Sequence, residues 1–225
     1  MINVFALVFT LLSSVQSIQI FEECAVENEF EHVKFTTIDG GQIEGALFEA
    51  GKERVVLFAH GAVFNKESWY FLCEELKRKG LSSLSIDFRG YGNSEKGSSD
   101  QKYYDVLGAI EYLKEQGYKK IAIVGGSMGG GAVLRALEVE VDKKVDKVVL
   151  LAAAGGQPIM NKNVEKLFVV SKEEKAYERV VKLHEESAEP KTLKVYPGSS
   201  HAQHMFKTEH RDDLVRLIIL KVADE

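Results

Sequence analysis

The segment KIAIVGGSMGGGAVLRAL, residues 120–137, decides the fold of this chain. Its first residues, 120–124, are mainly apolar, which is typical of a strand that is buried on both faces of a sheet. Glycines surround Ser127 immediately afterwards, and the apolar spacing that follows predicts a helix over residues 128–137. The segment therefore predicts a buried strand that turns directly into a helix, with a serine at the turn.

Residues 125–129 match the pattern G-x-S-x-G, in which a sharp strand-to-helix turn exposes a serine side chain. Small residues two positions before and after Ser127 let the strand and helix backbones cross closely. The helix N-terminus favours a developing negative charge beside the serine. The alternative interpretation is a glycine-rich turn that only packs the helix. A dinucleotide site is disfavoured because no three glycines here have the G-x-G-x-x-G spacing.

Strand and helix patterns alternate along the rest of the chain. A hairpin is predicted over residues 33–48, with its turn at 39–41. Further strands are predicted at 54–59, 81–86, 147–152, 166–170 and 192–196, and further helices at 66–79, 100–116, 173–187 and 206–222. This alternation indicates an α/β fold, a mostly parallel sheet with helices on both faces. The irregular stretch 153–165 is too short for a separate lid domain.

Length and composition exclude several classes of protein. The chain has 225 residues, of which 45% are hydrophobic and 28% charged, as in an ordinary globular domain. Lys and Arg number 29 against 34 Asp and Glu, a formal net charge of −5, so the chain lacks the basic excess of a nucleic-acid-binding protein. Two cysteines are too few for a disulfide scaffold or a four-cysteine zinc site.

The N-terminus carries an apolar run, residues 4–12, that is too short to span a bilayer but fits a secretory signal. We expect residues 1–17 to be a signal peptide or N-terminal anchor, 18–32 an extension, and 33–225 the folded domain. The predicted location is secreted or extracytoplasmic. No Lys or Arg precedes Lys34, so a cytoplasmic or peripherally membrane-anchored protein is the alternative.

Export would permit a disulfide between Cys24 and Cys73. Cys73, however, falls on the apolar stripe of the helix predicted over residues 66–79, together with Trp69, Leu72 and Leu76. This spacing favours a packed thiol over a bridge.

A catalytic serine needs a base, and the chain has six histidines. His201 is the best candidate because it lies on the loop after the last predicted strand, and sites in parallel sheets form at the carboxyl ends of strands. His204 is a neighbour or a rival. His60 also follows a strand, but we expect it to hold its own turn by hydrogen bonding. His32, His184 and His210 are predicted to be surface residues.

Four motifs in this order resemble those of the α/β-hydrolase superfamily. They are His60-Gly61-Ala62, DFRGYGNS at residues 87–94, the glycine-flanked Ser127, and PGSSH at residues 197–201. The resemblance runs from about Val33 to the C-terminus and implies the α/β-hydrolase fold. The chain is similar to small serine hydrolases without a lid, of the dienelactone-hydrolase-like and carboxylesterase-like types. Dienelactone hydrolases carry a cysteine nucleophile, so their particular reaction is not implied.

The resemblance implies the chain order serine, acid, histidine, and places the acid after the strand before the histidine strand, here 166–170, or after the one before that. Glu174 has the usual offset, although aspartate is commoner there. Glu173 is the rival, and the alternative for both glutamates is that they cap and solvate the next helix. No acid follows the earlier strand, at residues 153–157.

The family also implies an oxyanion hole formed by the backbone N–H groups of Met128 and Ala62. Val63 replaces the glycine of many relatives and is expected to narrow the mouth of the site. Arg89 and Asn93 are expected to pin the loop at 87–94 rather than to touch substrate.

The implied function is a serine esterase that cleaves small or short-chain carboxylic esters, or thioesters, through an acyl-enzyme. The expected partner is a small-molecule ester, with no nucleic acid, no stable membrane span and no metal or organic cofactor. The alternatives are a peptidase or acyltransferase with the same triad, and a catalytically silent binding module on this fold.

Overall fold

The computed structural model describes residues 30–139 and 144–223. The predicted signal peptide or anchor, nearly all of the predicted extension at 18–32, and Cys24 lie outside the described residues. The first strand begins at Glu31, slightly before the predicted domain boundary at Val33.

An eight-stranded sheet forms the centre of the molecule. Its strands are β1 (Glu31–Thr36), β2 (Gln42–Phe48), β3 (Arg54–Ala59), β4 (Ser82–Ile86), β5 (Lys120–Gly126), β6 (Val145–Leu151), β7 (Glu165–Ser171) and β8 (Lys191–Tyr196). They lie in the order β1-β2-β4-β3-β5-β6-β7-β8. β1 pairs with β2 and β2 with β4 in antiparallel fashion, whereas the strands from β4 to β8 in this order run parallel.

The helices of the described residues are α1 (Tyr70–Arg78), α2 (Tyr103–Glu115), α3 (Met128–Val139), α4 (Tyr177–Glu186) and α5 (Arg211–Val222), with 3₁₀ turns at Lys66–Trp69 and Ala202–Lys207. Every residue of the central strand β3 is buried, which requires cover on both faces of the sheet. The predicted mostly parallel α/β sheet with an N-terminal antiparallel hairpin is therefore confirmed.

Four predicted helices begin differently in the structure, and the one predicted over 100–116 begins only at Tyr103. The helix predicted over 66–79 opens with a 3₁₀ turn, and the one predicted over 206–222 is divided between a 3₁₀ turn and α5. The break lies at Thr208, which is extended and whose hydroxyl donates to the Met205 C=O at 2.8 Å. The helix predicted over 173–187 begins only at Tyr177, because the preceding residues form a turn around Glu174.

Residues 152–164, all described, connect β6 to β7 without a helix or strand of their own. Cys73 is fully buried on α1, and burial raises the pKa of its thiol to about 12. Among residues 30–139 and 144–223, no helix is long and apolar enough to cross a membrane.

Candidate active site

Ser127 occupies the turn between β5 and α3 with φ 47°, a left-handed conformation that is rare outside glycine. A Cβ atom on Gly125 would lie 2.8 Å from the Cα of Gly130, and one on Gly129 would collide with the Ala59 carbonyl oxygen. The crossing of strand and helix therefore requires glycine at both positions, as the sequence pattern predicts. The result is a tight turn that presents the serine at the carboxyl end of the parallel sheet.

Backbone hydrogen bonds from the end of β6, from the connection after it and from α3 hold this turn. The Ser127 N–H donates to the Leu151 C=O at 2.8 Å, and the Ser127 C=O accepts from Ala154 at 2.9 Å and from Gly131 at 3.0 Å. A non-glycine residue in this conformation costs roughly 1–3 kcal/mol. The surrounding backbone offsets that cost and fixes where the hydroxyl lies.

The structure brings Ser127, His201 and Glu174 into one hydrogen-bonded chain. His201 Nε2 lies 2.7 Å from Ser127 Oγ, and His201 Nδ1 lies 2.5 Å from Glu174 Oε2. The Glu174 side chain is 3% exposed, whereas that of His201 is 41% exposed. An ionised carboxylate can only accept, so Glu174 favours the tautomer with the proton on Nδ1. Nε2 is then free to accept the serine proton.

The loops that carry the acid and the base are joined by direct hydrogen bonds. Ser171 Oγ donates to the Ser200 C=O at 2.6 Å, and the Glu173 N–H donates to the Gly198 C=O at 3.0 Å. Glu174 Oε1 accepts the Ser171 N–H at 3.0 Å. Glu174 thus makes the histidine contact, and its bond to Ser171 closes its own turn; it does not cap α4, whose N-cap residue is Ala176. Glu173, the rival acid, has an exposed side chain.

The other histidines occupy different environments. His204, the rival base, is exposed and packs its ring 5.0 Å from that of Phe64. His32 is exposed, and His184 and His210 are partly exposed, so the expected surface positions hold for His32 and in part for the other two.

Comparison with known proteins identifies the family. A family model described as the alpha/beta hydrolase fold matches residues 54–169, just over half of the chain. The chain belongs to the α/β hydrolase family. The matched region includes the serine turn and ends within β7, so the glutamate and histidine described above lie beyond it.

Curated relatives of this α/β hydrolase match over part of their length. The AB hydrolase superfamily protein YisY of Bacillus subtilis is 29% identical over 109 residues, 47% of this chain and 40% of that protein. The pFDCC methylesterase MES16 of Arabidopsis thaliana is 35% identical over 117 residues, 49% of this chain and 44% of that protein. The matches therefore span less than half the length of these two relatives.

Solved structures share the fold over most of this chain. An esterase from Exiguobacterium antarcticum, EaEST, superposes with a TM-score of 0.72 at 17% identity, covering 85% of this chain and 99% of that chain. A Pyrococcus furiosus esterase, Pf2001, gives a TM-score of 0.68 at 18% identity, covering 87% of this chain and 94% of that chain. At these identities the likeness concerns the fold alone.

In this α/β hydrolase, hydrogen bonds to His60 fix the orientation of the peptide groups in the loop after β3. His60 Nδ1 lies 2.8 Å from the Gly61 C=O, and the Phe88 N–H donates to His60 Nε2 at 3.2 Å. His60 therefore carries its proton on Nδ1, and burial lowers its pKa, which keeps it neutral. The Gly61 C=O and the Ala62 N–H belong to one planar peptide, so the bond from His60 also directs the Ala62 N–H.

The N–H groups of Ala62 and Met128 are the expected oxyanion donors. Neither donates to an acceptor within residues 30–139 and 144–223. The Tyr91 hydroxyl holds the Ala62 C=O at 3.0 Å and also approaches the Met128 sulfur at 3.6 Å. Val63, expected to narrow the mouth, is 78% exposed at the surface of the same loop.

The loop at residues 87–94 is anchored by buried charges, and its Arg89 acts structurally. Arg89 Nη1 contacts Asp39 at 2.7 Å, and Arg89 Nη2 contacts Asp105 at 2.7 Å. The hydrogen bond from Arg89 holds the pKa of Asp39 well below its usual range. Asn93 donates to Glu44 at 3.0 Å, which ties the loop to β2.

A second buried pair lies behind the same loop. Asp87 accepts the backbone N–H of Lys66 at 2.8 Å and its ammonium group at 2.5 Å. Burial opposes the charge on Lys66, but the bond to Asp87 outweighs it and raises the pKa of this lysine. The pair ties the end of β4 to the 3₁₀ turn that follows the loop after β3.

The sequence did not predict two residues that support the site, Tyr91 and Gln203. Tyr91 lies inside the motif at residues 87–94, in which only Arg89 and Asn93 were expected to have a role. Gln203 is the one buried polar side chain of the turn Ala202–Lys207, and its nearness to His201 was the available signal. Within the described part of the chain, no three metal-ligating side chains lie close enough together to hold an ion.

A cleft of about 340 Å³ borders the serine turn. Its walls include Met128, Gly131 and Ala154, which surround the serine backbone, and the charged side chains of Lys102 and Arg135. Its volume lies at the lower end of the range for small-molecule sites.

Proposed function

We propose that this α/β hydrolase is a serine esterase that cleaves small or short-chain carboxylic esters, or thioesters, through an acyl-enzyme. The observation that carries the proposal is the hydrogen-bonded chain from Ser127 through His201 to the buried Glu174. The strained serine turn supports it, as do the N–H groups of Ala62 and Met128, which have no acceptor within residues 30–139 and 144–223. The esterase and methylesterase names of relatives point in the same direction.

In the proposed mechanism, Ser127 Oγ attacks the ester carbonyl carbon while its proton passes to His201 Nε2. The N–H groups of Ala62 and Met128 bind the oxyanion of the tetrahedral intermediate, a contribution of roughly 3 kcal/mol for each donor. His201 then protonates the departing alcohol and activates a water, which releases the acid. Glu174 keeps the imidazole oriented and stabilises its positive charge.

Preference for small substrates rests on the openness of the site. The connection at residues 152–164 forms no lid, and the His201 side chain is 41% exposed. A long acyl chain would therefore remain largely in water and would gain little binding energy over a short one.

The proposal is tested with p-nitrophenyl esters of increasing chain length and a fluorophosphonate probe, on the wild type and on Ser127→Ala. We expect turnover of acetate and butyrate esters, labelling of the wild type, and loss of both in the variant. The fold should persist because the turn tolerates a smaller side chain.

Activity that survives in Ser127→Ala would refute the triad. A wild type that neither turns over esters nor labels would indicate a binding module. Faster cleavage of peptide anilides than of esters would indicate a peptidase, and product capture by added alcohols an acyltransferase.

A further inference from the structure

Gln203 makes an unusual connection below the proposed site. Its side chain is buried, with 3% of the residue exposed, yet both ends of the amide are hydrogen-bonded. Oε1 accepts the Gly61 N–H at 2.7 Å, and Nε2 donates to Ser68 Oγ at 2.6 Å. A Cβ atom on Gly126 would lie 3.0 Å from the same Oε1, so the amide also packs against the end of β5.

These contacts reach three separate parts of the chain. Gly61 begins the oxyanion loop, Gly126 precedes the serine, and Gln203 itself lies two positions after His201. Ala202, between His201 and Gln203, has φ 47°. This left-handed residue turns the chain so that Gln203 is buried while His201 stays partly exposed. One side chain therefore links the base, the nucleophile turn and the oxyanion loop.

The position of the Ala62 N–H depends on two successive peptide planes. His60 holds the plane that contains the Ala62 N–H, through the Gly61 C=O. Gln203 holds the preceding plane, through the Gly61 N–H. Gly61 joins the two planes, and a glycine imposes little preference on the angle between them. Both anchors are therefore needed to fix the direction of the donor.

We propose that Gln203 is a positioning residue for the reaction: its amide sets the Ala62 N–H against Ser127 and couples the base loop to the oxyanion loop. The inference rests on the proposed esterase function. A buried amide is costly unless all its groups are paired, and an apolar side chain could fill the same space. This amide is hydrogen-bonded at both ends, with Gly61 at one of them, as a positioning role requires.

The test compares Gln203→Met, which keeps the length but removes both hydrogen bonds, with Gln203→Glu, which keeps an acceptor for Gly61. Ser68→Ala is the matched control, because it removes the partner at the far end of the amide, with that hydroxyl's own bond to Asn65, and leaves the bond to Gly61 in place. Rates are measured with p-nitrophenyl acetate, and a boronic acid serves as the mimic of the tetrahedral intermediate.

We expect Gln203→Met to lower kcat by about 10–100-fold with KM changed less than about threefold, since an oxyanion donor acts mainly in the transition state. Boronic acid affinity should fall in parallel with kcat/KM. Gln203→Glu should recover most of the loss, and Ser68→Ala should stay within about threefold of the wild type. A residue with only a structural role would change the melting temperature and leave these ratios unchanged.

A kcat within threefold of the wild type in Gln203→Met would overturn the inference, as would an equal loss in Ser68→Ala. If Gln203→Met does not fold, Gln203→Asn retracts the carbonyl by one methylene and carries the same expectation. Amide exchange at Gly61 needs no turnover, so it separates this inference from the proposed esterase activity. Faster exchange is expected in the Met variant, and unchanged exchange would refute the positioning role even if no ester is cleaved.

Discussion

Replacing Glu174 by glutamine tests the least common member of the proposed triad. The glutamate makes two contacts: Oε1 accepts the Ser171 N–H at 3.0 Å, and Oε2 lies 2.5 Å from His201 Nδ1. In Glu174→Gln the amide oxygen can serve only one of them. The Ser171 N–H is buried and would be costly to leave unpaired, so it keeps its bond to the amide oxygen. The NH₂ group then faces His201. Nδ1 must then accept, and Nε2, now protonated, cannot take the serine proton.

The size of the effect follows from the cost of the alternatives. Turning the amide around restores the histidine tautomer but leaves the buried Ser171 N–H unpaired, which costs about 1–3 kcal/mol. A neutral acceptor also stabilises the imidazolium less than a carboxylate does, by about 1–2 kcal/mol. Together these amount to about 2–5 kcal/mol, or roughly 30-fold to 5,000-fold in kcat at 1.36 kcal/mol per tenfold. The comparable change in a serine protease triad costs about 10⁴-fold.

The assay is kcat for p-nitrophenyl acetate at saturation, with the melting temperature measured in parallel. We expect little change in melting temperature, since the amide oxygen still accepts the Ser171 N–H. Glu173→Gln is the matched control: it removes the same charge one residue away, from an exposed side chain, and should leave kcat within about twofold. A Glu174→Gln enzyme within threefold of the wild type would refute the reasoning, and a crippled Glu173→Gln would assign the acid to Glu173.

Two further predictions concern stability. Arg89→Leu should lower the free energy of unfolding in urea by about 3–5 kcal/mol, because it leaves the carboxylates of Asp39 and Asp105 buried without a cationic partner; a loss below about 1 kcal/mol would contradict the anchoring role. Burial lowers the pKa values of His60 and His184, so the unfolded chain binds protons first and the free energy of unfolding should fall as the pH drops below about 6.5. His60→Gln should flatten this dependence, and an unchanged slope would show that His60 does not cause it.

The sequence predicted most of the sheet and two members of the site for physical reasons that remain visible in the structure. The strand at 120–124 is apolar on both faces because it lies in the middle of the sheet, and glycines flank Ser127 because a Cβ atom would collide there. His201 could be predicted because parallel strands end at the same edge of the sheet, so a histidine after the last strand comes close to the serine. Glu174 depended on the family resemblance, and the turn that carries it was predicted as helix.

Gln203 and Tyr91 could not be predicted because their contacts are not local. Gln203 meets Gly61 across 142 positions of sequence, and Tyr91 meets Ala62 across 29. Periodicity and turn patterns report the neighbours of a residue along its own element, whereas these bonds depend on how the strand-end loops lie against one another. A buried glutamine in a short turn gives no pattern of its own.

The delayed start of α4 explains how a glutamate, with its longer side chain, can reach the position of the proposed acid. In a helix that began at residue 173, the N–H groups of this turn would lie at the helix N-terminus and would point toward capping groups. Instead, the Lys172 N–H donates to the Tyr196 C=O at 2.8 Å and the Glu173 N–H to the Gly198 C=O at 3.0 Å, which continues the pairing of β7 and β8 beyond their ends. The acid loop is therefore held against the base loop as the strands themselves are held. Glu174 therefore needs a long side chain, because its carboxylate must accept the Ser171 N–H of its own turn and also contact His201 in the next loop.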